Sequence, residues 1–108
     1  MNIYISGPIT GRSEYDCTIA FAIKQSEVES FGHTPINPWA IGAYLPKLTH
    51  EQYIAIDLEI IKQAADAVYF MPGWRNSRGC VIEHDFCGKQ GIPIIEKISD
   101  LKEATYDL

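Results

Sequence analysis

The chain reads as an α/β domain, a small parallel sheet of four to five strands with helices on both faces. Two observations predict this. Short runs rich in β-branched and aromatic residues alternate with longer stretches of helical period, in the order β-α-β-α-β-α-β. Such alternation implies parallel strands joined by right-handed crossovers, which cover both faces of the sheet. A length of 108 residues fits one domain, residues 1–108, with a single core of modest size.

"NIYIS", residues 2–6, is the first strand. A helix is expected from Ser13 to Phe31. Ser13 and Asp16 mark its start, Ile19, Ile23, Val28 and Phe31 supply an apolar side, and Gly32 stops it. "HTPINP" is a short extended piece, kept from helix by Pro35 and Pro38. Residues 39–49 carry too many large apolar side chains for a disordered linker and read as an ordered loop. Thr49 and Gln52 resemble a capping box. The helix they open runs to about Ala65, with Tyr53, Ile54, Leu58, Ile61 and Ala65 in one stripe. "DAVYFM", 66–71, is a strand and 72–79 a turn-rich loop. Residues 80–90 form a helix ended by Gly91, and "IPIIE", 92–96, is the last strand. The tail from Ser99 onward has room for one more helical turn. The whole describes a three-layer, flavodoxin/Rossmann-like domain, and in such sheets ligands bind outside the carboxyl ends of the strands. The loops at 7–12, 36–49 and 72–79 should therefore share one edge.

Composition narrows the function. Hydrophobic residues are 46% and charged residues 21% of the chain, as in ordinary globular proteins. The net charge is −5, with 14 acidic and 9 basic residues and no basic run, so a nucleic-acid polymer is not an expected partner. No apolar run has the length of a membrane span, and the amino terminus lacks a signal-peptide pattern. Three cysteines without a CxxC pair predict neither a disulfide framework nor a zinc site, and point to the cytoplasm.

Three pieces carry candidate chemistry. "GPITG", residues 7–11, lets the backbone approach a ligand and can present N–H groups to an anion, or is simply a tight strand–helix turn. It lacks the third glycine of a dinucleotide fingerprint and the Lys-Ser/Thr pair of a P-loop. In "SRGCVIE" Ser77 can cap a helix, and Gly79 leaves room for a phosphate or a ribose. Glu83 follows one turn in, between Val81–Ile82 and Phe86–Cys87. It is either desolvated with a raised pKa or an ordinary solvent-facing glutamate. Asp57 shares a helical side with Tyr53, Ile54 and Ile61, so it is either paired in the interior or placed at its boundary. Trp39 and Trp74 border the expected cleft as stacking surfaces or as loop packing. His33 and His50 read as structural or surface residues, and His84 as exposed. Cys80 and Cys87 read as small core residues.

Four segments together, "IYISGPITG", "GHTPINP", "YIAIDLEIIKQAADAVYFMPGW" and "SRGCVIEHDFCGKQGIPI", resemble the nucleoside 2-deoxyribosyltransferase-like superfamily over nearly the whole chain. The likeness is greatest to its DUF4406 branch, often phage- or prophage-borne, and extends to deoxynucleoside 5′-monophosphate N-hydrolases. The resemblance implies that Glu83 is a nucleophile attacking the anomeric carbon of a deoxyribosyl group. It implies that Tyr4 hydrogen-bonds that carboxylate. Asp57 would bind sugar hydroxyls or protonate the leaving base. Ser77 and Gly79, with the loop of Gly7, Pro8, Ile9 and Thr10, would bind substrate at its 5′-phosphate. Thr10 stands where those hydrolases hold phosphate with an arginine, and Arg12 lies two residues on. The resemblance further implies no metal, no organic cofactor, a small nucleoside or nucleotide as ligand, and a homodimer or higher homo-oligomer.

Glycosyl transfer through an oxocarbenium-like state needs a carboxylate under the anomeric carbon and an acid at the leaving group. Glu83 and Asp57 supply two carboxylates from two helices. The expectation is an enzyme that hydrolyses the base from, or transfers the deoxyribosyl group of, a deoxynucleoside or its monophosphate through a glycosyl-Glu83 intermediate. The alternatives are a non-catalytic nucleotide-binding or sequestering module on the same scaffold, and an interaction domain with no ligand.

Overall fold

Residues of β1 (Asn2–Ser6) alternate between two destinations, and that alternation organises the molecule. In the computed structural model, which describes residues 1–101, four parallel strands lie in the order β2-β1-β3-β4. Here β2 is Thr34–Ile36, β3 is Ala67–Phe70 and β4 is Ile94–Ile95. Ile3 and Ile5 point to one face, where they meet Cys17, Phe21 and Val28 of α1 (Glu14–Ser30). Tyr4 points to the other, against Ile61 of α3 (His50–Ala64) and Cys80 and Cys87 of α4 (Arg78–Gln90). One strand thus feeds two cores, as a side-chain period of two requires. The order reverses at β1, which lies between β2 and β3, and the crevice above that switch is where a parallel sheet takes a ligand.

The expected caps form. Ser13 Oγ accepts the Asp16 N–H at 3.0 Å and starts α1. Thr49 and Gln52 make the reciprocal capping box of α3, with bonds of 2.9 and 3.2 Å. Ser77 Oγ accepts the Cys80 N–H at 3.3 Å, so α4 begins two residues earlier than its apolar pattern suggests.

Three expectations need correction. The apolar side assigned to α1 is partly the wrong one: Ile19 and Ile23 are 40% and 52% exposed, and the helix packs through Cys17, Phe21 and Val28. Two bulky aliphatics outweigh a cysteine in any pattern count, yet the sheet takes the cysteine side. The segment after Asn37 is not wholly loop, since Asn37 Oδ1 caps the Ala40 N–H at 3.1 Å and Pro38–Gly42 forms the short helix α2. The last strand shrinks to Ile94–Ile95, an edge strand paired with β3 alone. A 3₁₀ turn over Ile98–Asp100 closes the described chain and the remainder of the expected last turn lies outside it.

Candidate active site

Four elements bring the polar residues together. The register of β1 on β3 sets Tyr4 beside Val68 and Ser6 beside Phe70, and the pleat sends both hydroxyls toward α4. The Ser77 cap fixes where α4 starts, so Glu83 emerges from its second turn directly above them. Tyr4 donates its hydroxyl to Glu83 Oε2 at 2.5 Å, and Ser6 donates to Oε1 at 2.8 Å. Each carboxylate oxygen has its own donor, which locks the group in one orientation. Glu83 is 7% exposed, and the reading of it as a solvent-facing helix residue fails.

Burial raises the Glu83 pKa from the ordinary 4.5 to about 7. The Tyr4 and Ser6 hydroxyls pull it down, and the Asp57 charge pushes it further up. Asp57 arrives from the middle of α3, half-buried, and burial raises its pKa from 3.8 to about 6 while Tyr4 opposes the shift. The Tyr4 phenol stands between the two carboxyls. Desolvation, then the negative charges of Glu83 and Asp57, hold its own pKa well above 10, so it remains a donor throughout the neutral range. Two interacting carboxyls with pKa values near neutrality hold about one proton between them there.

The carboxyls open into a cleft of about 350 Å³, within the range of small-molecule sites. Its polar half is Glu83, Asp57, Ser77 and Gly79, and its apolar half includes Ile9, Trp39, Tyr53 and Ile54. Tyr53 also holds the loop over the cleft, donating to the Pro46 carbonyl at 2.9 Å and accepting the Leu48 N–H at 3.2 Å.

The expected site residues divide as follows. Gly7, Ile9, Thr10, Asp57, Ser77, Gly79 and Glu83 line this cleft, Pro8 lines an adjoining concavity, and Tyr4 lies wholly buried beneath Glu83. Gly7 is small for a reason unrelated to a ligand: a Cβ there would lie 2.3 Å from Met71 Sδ. Above Gly79, by contrast, no atom beyond its chain neighbours and its own helix backbone lies within 4 Å of a Cβ position, and the space is open. Trp39 faces the cleft, steadied by a 2.9 Å bond from its Nε1 to Thr18 Oγ1. Trp74 does not; it packs against Phe70 and stacks on His84 at 4.2 Å, which is loop packing and keeps His84 from the fully exposed setting expected of it. His33 is buried, with Nδ1 3.1 Å from the terminal amine. Cys17, Cys80 and Cys87 are buried free thiols.

Ser6, the second donor to Glu83, is the residue of this cluster that sequence reasoning missed. The signal was available: a serine two residues after Tyr4, at the end of an otherwise apolar strand, must face the same way as the tyrosine. Among the described residues no group of three or more His, Cys, Asp or Glu side chains is gathered closely enough to hold a metal ion, and no helix is long and apolar enough to cross a membrane. The family model described as Domain of unknown function (DUF4406) matches residues 1–96, which takes in every residue of the cleft. No curated protein and no solved structure matches the chain.

Proposed function

The chain belongs to the DUF4406 family, and on that premise we propose that it is an N-glycosidic enzyme, acting on deoxynucleosides or deoxynucleoside monophosphates through a covalent intermediate on Glu83. The observation that carries this reading is a nearly buried carboxylate, held through both oxygens by Tyr4 and Ser6, facing a second raised carboxyl in one cleft. A structural glutamate gains nothing from such a setting, because burying a carboxylate costs free energy that two hydrogen bonds only partly return. A nucleophile gains orientation.

In the proposed first step the singly protonated pair reacts from the tautomer that carries its proton on Asp57, and the ionised Glu83 oxygen bonds to the anomeric carbon. The N-glycosidic bond breaks, its electron pair stays on the base nitrogen, and protonated Asp57 delivers the proton. In the second step water, or another base, attacks the same carbon. Asp57 takes the attacker's proton, and Glu83 leaves as carboxylate. Tyr4 and Ser6 hold the carboxylate in line and stay hydrogen-bonded throughout. The apolar half of the cleft, with Trp39, suits a planar base.

The test is incubation of the protein with a panel of deoxynucleosides and their 5′-monophosphates, followed by chromatography for free base. A 2′-fluoro-2′-deoxynucleoside, whose glycosyl-enzyme breaks down slowly, should leave a mass adduct on the peptide holding Glu83. Tight binding of a panel member with no released base and no adduct would replace the enzyme by a nucleotide-binding module.

A further inference from the structure

The carboxylate cleft continues beyond its rim. A second concavity of about 630 Å³ adjoins it, and the two share Thr10, His50 and Ser77. Their charges are segregated. Among the described residues, the inner cleft is bordered by Glu14, Asp57 and Glu83 and by no lysine or arginine. The outer lobe is bordered by Arg12 and Arg78 and by no aspartate or glutamate. A chain of net charge −5 repels polyanions at a distance. Placing two of its 9 basic side chains on one lobe gives an anion a local reason to bind there.

Neither guanidinium is firmly engaged. Arg78 Nη1 lies 2.7 Å from Glu51 Oε1, but the two side chains are 63% and 68% exposed, and an exposed pair of that kind contributes little. Arg12 Nη1 makes a long 3.3 Å bond to the Pro8 carbonyl, a neutral acceptor. Both can turn to phosphate oxygens, which guanidinium groups match in geometry and charge.

We propose that the outer lobe is a phosphate-chain site, so that the preferred ligand is a nucleoside di- or triphosphate. Its sugar lies over Glu83, its first phosphate at Ser77 and Gly79, and the phosphates beyond it between Arg12 and Arg78. The position of the sugar rests on the glycosidic reading of the inner cleft, and the anion site does not. An ionised inner cleft turns a phosphate chain outward, and the open space above Gly79 gives it passage to the shared wall.

The test uses inorganic phosphate and inorganic pyrophosphate as probes in titration calorimetry on the full chain. Pyrophosphate should bind at least about tenfold more tightly than phosphate, and Arg12→Gln or Arg78→Gln should each weaken it by about tenfold or more. Glu51→Gln separates a ligand role from a structural one. It breaks the same ion pair from the other side, releases Arg78, and should tighten pyrophosphate. Absent binding, equal affinities for the two probes, indifference to both arginine substitutions, or a Glu51→Gln effect like that of Arg78→Gln would each overturn the site. Base-release assays on a nucleoside and its 5′-mono-, di- and triphosphates keep the two readings apart. Arginine-dependent pyrophosphate binding without base release leaves the lobe standing and removes the glycosidic function. Base release that does not favour di- or triphosphates, together with pyrophosphate binding indifferent to both arginines, removes the lobe and leaves the function.

Discussion

The two faces of the sheet are built from the same strands and have opposite characters. On the α1 face, Ile3, Ile5, Phe21, Val28 and Met71 form an apolar cluster that buries no carboxylate. On the α3–α4 face, the same register buries Tyr4, Ser6 and Glu83 and brings Asp57 to their edge. The first arrangement is an apolar core that backs the cleft wall, where Phe21 stacks on Trp39. The second carries a carboxylate whose pKa is raised to about 7, which is a cost to the fold. A protein keeps such a cost where function requires it. The faces should therefore respond to substitution with opposite signs.

Glu83→Gln breaks the contrast most deeply. Base release should fall by several orders of magnitude, because the amide cannot form the glycosyl ester and no other group is placed to do so. Stability should move the other way. A raised carboxyl pKa stabilises fully below the unfolded value near 4.5, and that contribution is lost as pH rises through about 7. Above pH 7 the wild type bears a penalty on the order of 3 kcal/mol that the Gln variant escapes. Urea midpoints at pH 5 and pH 8 should show the variant gaining on the wild type at the higher pH; a variant that loses ground at pH 8 would refute the burial argument.

Asp57→Asn should cost about 10²–10⁴ in kcat if the residue is the general acid and base. The wild-type pH profile should be a narrow bell in the neutral range, with apparent values near 6 and 7 that belong to the carboxyl pair. In Asp57→Asn the alkaline limb should disappear, leaving a rise governed by Glu83. A profile unchanged by the substitution would remove Asp57 from the chemistry.

Phe21→Ala tests the other face. Phe21 is fully buried and contacts the Gly7 turn from below. Its loss should destabilise by about 3–5 kcal/mol by urea unfolding. Base release at a temperature where the variant remains folded should change far less than in Glu83→Gln. Equal loss of activity in the two variants would mean that the division between the faces is not functional.

The smallest effects should come from the two donors to Glu83. Tyr4→Phe removes a charged hydrogen bond worth about 1.5–3 kcal/mol, so kcat should fall roughly ten- to hundredfold with little change in KM. Ser6→Ala leaves one carboxylate oxygen unpaired and should cost less. Tyr4→Phe also removes a group that pulls the Glu83 pKa down, so the acid limb of the profile should shift to higher pH.

Much of this could be read along the chain. The β-α alternation and the Ser13, Thr49 and Ser77 caps are local properties, fixed by spacing and hydrogen bonds within a few residues, and the grouping of loops at one edge follows from that alternation through parallel crossovers. So was the pairing of Tyr4 with Glu83, though only through resemblance. What could not be read depended on partners far away in sequence. Which side of α1 is buried was decided by the sheet, against the heavier apolar pattern of Ile19 and Ile23. Trp39 and Trp74 are alike as sequence signals, and only packing sends one to the cleft and the other onto Phe70 and His84. The raised carboxyls belong to this second class too. A pKa is set by desolvation and by charges within a few ångströms, and the groups that perturb Glu83 lie 79, 77 and 26 residues away along the chain, at Tyr4, Ser6 and Asp57. The residue types and their helical positions came from the sequence, but the protonation chemistry exists only once β1, α3 and α4 have met.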